Sequence, residues 1–320
     1  MTVVAAFDWG GTWLRGALVD EKGELVVQLR ERCPEKPDEQ LAVVAGLVAR
    51  LGEELKTTVD AVGVGIAGIV RHGRVLSGSN LGLKGVDLRA ELERRLSLPV
   101  RVVNDTQAVA LAELSMAGPG ETAVFLSVGT GIGGAVVHDG RLFTGRGAAG
   151  DFGHMQLAVD GPRCVCGARG CLEQLASGRV LNQVAAELAE SGRSGFLERR
   201  ARSGQGLHAG DLDEAARHDD EAAAEALAQA SAGLVAGLRC VAAAYDPDRI
   251  VLGGGLLGEG SYLLARVRDR WIAERPAWTT AELTLARHGD DAGLRGAALL
   301  WISPAGPESD GGAAKRPSGI

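Results

Sequence analysis

The chain has 320 residues, 46% hydrophobic and 23% charged, long enough for two packed domains. A net charge of −7 with no basic run argues against nucleic acid as a partner. Met1 is followed by neither a basic segment nor a cleavage pattern, and the most apolar long stretch, Ala230 to Tyr245, is interrupted by Arg239 and short for a bilayer, so the expectation is a cytoplasmic protein without a membrane partner.

Residues 3–8 are an apolar run, residues 9–12 a glycine turn, and Trp13 to Val19 alternates as a strand does. A second turn at 21–23 leads to a third strand over 25–30. From Asp38 to Leu55 the apolar residues Leu41, Val44, Ala45, Val48 and Leu51 repeat at helical spacing. A buried strand follows over 60–67, a helix over 88–96 and a strand over 100–103. Asn104-Asp105 stands at that strand's end, before an alanine-rich helix over 106–116. The first half therefore reads βββαβαβα.

The second half begins alike, with strands over 122–128 and 132–138 around Gly129-Thr130-Gly131 and a hairpin turn at Asp139-Gly140. Helices are expected over 175–189 and 221–244, with a polar, glycine-spotted flexible connection over 191–212 between them. A strand over 249–252 ends in Gly253-Gly254-Gly255, and helix 262–273, strand 283–286 and helix 294–302 close the pattern. The strand–glycine turn–strand units at Phe7–Thr12 and Leu126–Thr130 correspond, so the two halves look like duplicated α/β domains enclosing a cleft. The expected division is residues 1–112 with 293–303 as a small domain, residues 113–292 as a larger one, and 304–320 as a disordered tail.

Residues 147–173 concentrate the chemistry. His154, Cys164, Cys166 and Cys171 form a Cys₃His set, a common closed ligand set for structural Zn²⁺. With four protein ligands no position remains for water, so the metal would clamp the loop that carries Asp151, His154 and Glu173. Three glycine turns at strand ends, Gly10-Gly11-Thr12, Gly129-Thr130-Gly131 and Gly254-Gly255, suit the phosphates and adenosine of a nucleotide, because glycine lets backbone N–H groups approach an anion. Asp8 would orient Mg²⁺, and Thr12 offers a hydroxyl. Asp105, where a strand gives way to a helix, is the candidate general base for phosphoryl transfer, the competing reading being a helix cap.

These motifs, Asp8-x-Gly10-Gly11-Thr12, Asn104-Asp105, Gly129-Thr130-Gly131-x-Gly133-Gly134, Gly150-x-x-Gly153-His154 and Cys164-x-Cys166-Gly-x-x-Gly170-Cys171-Leu-Glu173, resemble the ROK family of sugar kinases and sugar-responsive repressors along nearly the whole chain. The resemblance implies an actin/hexokinase-like α/β fold, ATP with Mg²⁺, and phosphorylation of a primary hydroxyl, usually O6 of a hexose. It assigns Asp105 as base, Asn104, His154 and Glu173 as sugar ligands, Gly68 beside the sugar, and Asn80 to a sugar-proximal loop. It makes His154 both a zinc ligand and a neighbour of the sugar.

Two positions depart from the family pattern. Asp151 stands where glutamate is usual, which withdraws the carboxylate by about one C–C bond; the exchange is either a tolerated conservative swap or the mark of an altered substrate, an amino-hexose or a cyclitol. Ala67 replaces a frequent proline before Gly68. The repressor branch carries a helix-turn-helix domain ahead of the first strand, and here that strand begins at Val3. The alternative kept open is a non-catalytic sugar-binding sensor. ATP is preferred over polyphosphate as donor for want of a basic track. A homodimer is common among such proteins.

Overall fold

The computed structural model describes residues 3–20, 22–77, 81–115, 118, 120–204 and 206–302. Asn80 and the 304–320 tail therefore lie outside the described residues. The chain forms two compact units, one of Met1–Gly118, Val137–Ala149 and His288–Ile320, the other of Pro119–Val136 and Gly150–Arg287. Relative to the boundaries drawn on the sequence, the short segment 137–149 groups with the first unit.

The first unit opens with β1 (Val4–Trp9), β2 (Trp13–Val19), β3 (Leu25–Arg32) and α1 (Pro37–Leu55). It continues through β4 (Ala61–Ile66), the hairpin β5 (Ile69–Arg71) and β6 (Arg74–Ser77), α2 (Leu88–Leu96), β7 (Val100–Asn104) and α3 (Asp105–Leu114). The sheet order is β3-β2-β1-β4-β7. β1, β2 and β3 pair antiparallel, whereas β4 and β7 run parallel to β1. β1 and β4 are buried on both faces, which is why they read as continuous apolar runs rather than alternating ones. The β5–β6 hairpin was missed in the sequence because three- and four-residue strands carry too little periodicity.

The second unit starts with β8 (Thr122–Val128) and β9 (Ile132–His138), whose hairpin continuation is β10 (Arg141–Phe143). Then come α4 (Leu172–Ala176), α5 (Gly178–Glu190), α6 (Gly195–Arg202), α7 (Ala209–Arg217), α8 (Glu221–Tyr245), β11 (Arg249–Gly253), α9 (Tyr262–Glu274) and β12 (Glu282–Leu285). Its sheet order, β10-β9-β8-β11-β12, repeats that of the first unit, so the duplication read from the sequence is real.

Residues 191–212 are not a flexible connection. They hold α6 and the start of α7, with Ser194 and His208 as N-caps and Leu197, Leu212 and Ala215 buried in the core. These helices are only eight and nine residues long, so each shows too few turns for periodicity to stand out. α8 also exceeds the expected apolar stretch. Among the described residues it is the one helix long and apolar enough to cross a bilayer, and half of its apolar window is buried, with Leu227, Leu234 and Leu238 in the unit's core.

α10 (Ala292–Ile302) packs into the first unit, where Leu294, Ala297 and Ala298 cover the face of β1 and β2 opposite α1. Glycines permit the close fit. A Cβ on Gly296 would lie 1.6 Å from the Ala108 carbonyl of α3, and one on Gly63 would lie 1.9 Å from the Ala297 carbonyl of α10. Neither neighbour is a side chain that could rotate away. Gly296→Ala should therefore cost about 2 kcal/mol or more in urea unfolding. Gly46→Ala, in α1 with nothing within 4 Å of its Cβ position, should be neutral or stabilising.

Candidate active site and metal centre

In the first unit the three parallel strands β1, β4 and β7 all end at one edge of the sheet. The predicted residues follow those ends: Asp8 and Gly10-Gly11-Thr12 from β1, Gly68 after β4, Asn104 and Asp105 from β7. Carboxyl ends of parallel strands are where an α/β sheet presents side chains to a ligand. Asp8 stands opposite Arg15 in the β1–β2 register, and its Oδ2 accepts bonds from Arg15 Nε at 3.2 Å and from Arg15 Nη2. A Cβ on Gly293 would come within 3.1 Å of Asp8 Cγ, so glycine there lets α10 begin beside the carboxylate without crowding it.

Asn104 caps α3. Its Oδ1 accepts from Gln107 N at 3.1 Å, and the Gln107 side chain accepts in return from Asn104 N at 3.4 Å, completing a capping box. Its Nδ2 donates to Gly68 O at 2.9 Å and to Asp105 Oδ1 at 2.8 Å. Asp105 Oδ1 also accepts from Thr106 N at 2.7 Å. Among the described residues Oδ2 accepts nothing. One oxygen of Asp105 is thus tied to its own helix end while the other stays unbonded, and the cap, the competing reading for Asp105, is supplied by Asn104. Burial pushes the Asp105 carboxyl up from its ordinary value, and the charge of Asp8 adds to that rise against the Thr106 and Asn104 hydrogen bonds.

The glycine turns of the two units share a pattern. Gly10 N donates to Trp13 O at 3.1 Å and Gly129 N to Gly131 O at 2.9 Å, each closing its own turn. The next amides, of Gly11 and Thr12 and of Thr130 and Gly131, have no partner among the described residues. Positions Gly11, Gly129 and Gly255 have nothing within 4 Å of a built Cβ. Protein packing does not demand glycine there, whereas a close-lying ligand would. Gly254 differs: its φ of +90° and a Cβ position 2.3 Å from Val128 O exclude any side chain.

Within the second unit Asp151, His154 and Glu173 come together. Burial raises the Asp151 carboxyl, with His154 opposing and Glu173 adding to the rise. Glu173 Oε2 accepts from Ile132 N at 3.1 Å, and its Oε1 pairs with Arg179 at 2.6 Å. The Asp151 carboxylate has no hydrogen-bond partner among the described residues, while its backbone carbonyl accepts from His154 N at 3.1 Å.

His154, Cys164, Cys166 and Cys171 place one ligand atom each within 4.8 Å of one another. A tetrahedral Zn²⁺ with bonds of about 2.3 Å to sulfur and 2.0 Å to nitrogen separates its ligands by about 3.8 Å (S···S) and 3.5 Å (S···N). Cys166 Sγ lies 3.6 Å from Cys171 Sγ, and Cys164 Sγ lies 3.5 Å from His154 Nδ1. The residues fit a metal of that kind. The chain arranges them through a short 3-10 turn at Phe152–His154, a tight turn closed by Cys164 N to Ala168 O, and Cys171 at the N-cap of α4. Gly170 makes the return possible, since a Cβ there would lie 1.8 Å from Ala158 O. Burial pushes the Cys171 thiol up to about 12, a penalty that a bound dication would reverse.

Three side chains at these sites were missed: Arg15, Gln107 and Arg179. Only Gln107 carried a sequence signal, as Asn104-x-x-Gln107 is a capping-box spacing. The arginines are found only through strand register and helix placement.

Residues 4–303 match the ROK family. The chain is 37% identical to the N-acetylmannosamine kinase of Citrobacter koseri, over 92% of this chain and 97% of that one. It is 32% identical to the glucokinase of Streptomyces coelicolor, over 95% and 99%. Its structure is similar to that of a ROK family glucokinase from Streptomyces griseus in complex with glucose and AMPPNP, with a TM-score of 0.76, 31% identity and coverage of 93% and 98%. It is also similar to a ROK family transcriptional regulator, a homologue of the E. coli MLC protein, with a TM-score of 0.81, 26% identity and coverage of 93% and 77%. The fold is actin/hexokinase-like.

Metal analysis of the purified protein should return about one zinc per chain, and Cys166→Ser should lose it. Cys166 is exposed, so this variant removes a ligand without opening a core cavity. Chelation should lower the thermal midpoint of the parent and leave that of Cys166→Ser unmoved.

Proposed function

The chain belongs to the ROK family and is a sugar kinase, and we propose that it transfers the terminal phosphoryl group of ATP to the primary hydroxyl of a hexose or hexose-like substrate, with Asp105 as general base. The observation that carries this reading is the division of labour at the end of β7. Asn104 holds the helix cap and donates to Asp105 Oδ1, which leaves Oδ2 to take the hydroxyl proton. A carboxylate whose proton affinity is raised by burial is the better base for an alcohol. Both Nδ2 hydrogens of Asn104 are in use, so toward a sugar it offers one remaining lone pair of Oδ1.

On this reading the free amides of Gly11, Thr12, Thr130 and Gly131 bind phosphate oxygens, and Gly254-Gly255 borders the adenosine. Mg²⁺, held through Asp8, would supply charge neutralisation on the phosphates. Asp8 Oδ1 accepts nothing among the described residues, which suits direct or water-mediated ligation. Asp151, His154 and Glu173 bind the sugar hydroxyls, and a structural Zn²⁺ on Nδ1 of His154 leaves Nε2 for the sugar. The shorter Asp151 favours an acceptor that differs from glucose at one ring position, an amino-hexose or a C7-cyclitol.

The sensor reading draws on the similarity to a transcriptional regulator. Retention of both Asp8 and Asp105 supports the kinase instead, since a sensor has no use for a base with an unbonded oxygen.

Asp105→Asn should lower kcat about 10²- to 10⁴-fold while sugar affinity stays within a few-fold. The same variant should melt higher than the parent at neutral pH. A folded-state pKa above the unfolded value means that stability is lost as pH climbs from about 3.9 to the raised value, and the amide escapes that loss. For the parent, kcat should rise with pH through a value above the ordinary carboxylate range. Turnover of hexoses, N-acetylated amino-hexoses and cyclitols with ATP and Mg²⁺ identifies the acceptor. No turnover of any would favour the sensor. Asp151→Glu should shift kcat/KM toward glucose by about tenfold.

A further inference from the structure

We propose that the first unit carries a second binding site, for a phosphorylated small molecule of hexose-phosphate size, on the outer edge of β7 behind the Asn104–Asp105 corner. A cavity of about 460 Å³ lies there, within the range of small-molecule pockets, and it contains none of the residues assigned above to sugar or nucleotide. Its walls bring together Arg71, Arg89, Arg101, Arg141 and Arg146, and among the described residues no aspartate or glutamate lines it. In a chain of net charge −7, five arginines lining one concavity concentrate basic side chains on one part of the first unit. Guanidinium is the side chain best matched to phosphate oxygens.

Two further features point into this cavity. Gln107 is 3% exposed, and its Nε2 has no partner among the described residues although the side chain lines the pocket. An amide N–H₂ at the wall of a polar cavity can donate to an acceptor that enters it. The second feature is the free edge of β7. Val62 N bonds to Pro99 O, so the parallel alternation turns the amide of Val102 outward, and Val102 lines the same cavity.

The walls are fixed rather than incidental. Arg71 Nε donates to Arg146 O, and Gly147 follows with φ +108°, its Cβ position 2.2 Å from Val70 O. Arg101 stacks on Trp301 with its Cζ 4.1 Å from the ring centroid and also bonds Leu300 O. The floor is connected to the proposed base, because Gln107 forms the capping box with Asn104. A phosphate ester that accepts from Gln107 Nε2 would bear on the peptide holding Asp105. Such an ester is the kind of product the proposed reaction releases, so the regulatory half of this inference, feedback at the base, rests on that reading.

Isothermal titration with glucose 6-phosphate, inorganic phosphate and uncharged glucose tests the site. The expected result is saturable binding of both phosphates that weakens at least about tenfold in Arg89→Gln/Arg146→Gln, the size of one lost charge-assisted hydrogen bond, with glucose binding unchanged. The double variant should fold and keep the parent's basal kcat, and should lose inhibition by glucose 6-phosphate that added sugar does not relieve. Phosphate binding of equal strength in parent and variant would overturn the proposal. So would arginine-dependent binding confined to a polyanion such as poly(U). Arginine-dependent phosphate binding in a protein that turns over no sugar would leave the site standing while the kinase reading fell.

Discussion

The first unit depends on how closely two helices and a strand can approach with no side chain between them. α10 lies against β4 at Gly63 and against α3 at Gly296, and β4 meets α3 where a Cβ on Gly65 would stand 2.8 Å from Ala108 Cβ. Close packing of this kind gains dispersion contacts along whole backbones and leaves little room for α3 to slide. Since α3 begins at Asp105, that fit fixes where the proposed base begins. The same helix α10 starts beside Asp8, through Gly293. Two acidic groups, one on β1 and one at the start of α3, are thereby held at set positions by one C-terminal helix.

The second constraint is local and electrostatic. A carboxylate at the first position of a helix is ordinarily drawn to the free amides there. At the end of β7 Asn104 satisfies the third amide through the capping box, and Asp105 satisfies only its neighbour Thr106. Had Asp105 been the cap, both its position and its charge would serve the helix. Displaced by one residue, it is anchored through one oxygen, partly desolvated, and raised in proton affinity by burial and by Asp8.

Much of this was legible in the sequence, for identifiable reasons. β1 and β8 showed as apolar runs because they are covered on both faces, and at Gly254 only glycine fits the turn. The Cys₃His set was visible because three ligands fall within eight positions. The spacing Asn104-x-x-Gln107 is that of a capping box, but adjacency alone does not separate the different work of Asn104 and Asp105. α6 and α7 were hidden by their shortness and polarity, as charged residues dominate their outer faces. The arginine cavity could not be seen at all. Its members come from five separate stretches of chain, and a search for basic runs passes over charges that only folding assembles.

The two halves repeat one device and then diverge from it. In both, the first amide of the glycine turn closes the turn and leaves the next two open. In the second half the following amide, of Ile132, is bound by Glu173, and α5 begins against the turn through Gly178 N to Gly129 O at 2.8 Å. Glu173 also stands two residues past Cys171, and Arg179 grips its other oxygen. A group proposed to touch sugar is thus bonded to a turn proposed to touch phosphate, and both hang from the loop whose cysteines and histidine fit a tetrahedral metal. Any ligand that reorients Glu173 must disturb the turn as well, because Ile132 N and Arg179 would lose their partner together, and an orphaned buried donor costs more than the bond itself was worth. On the proposed reading, coupling between acceptor and donor sites would run through the few bonds of Glu173.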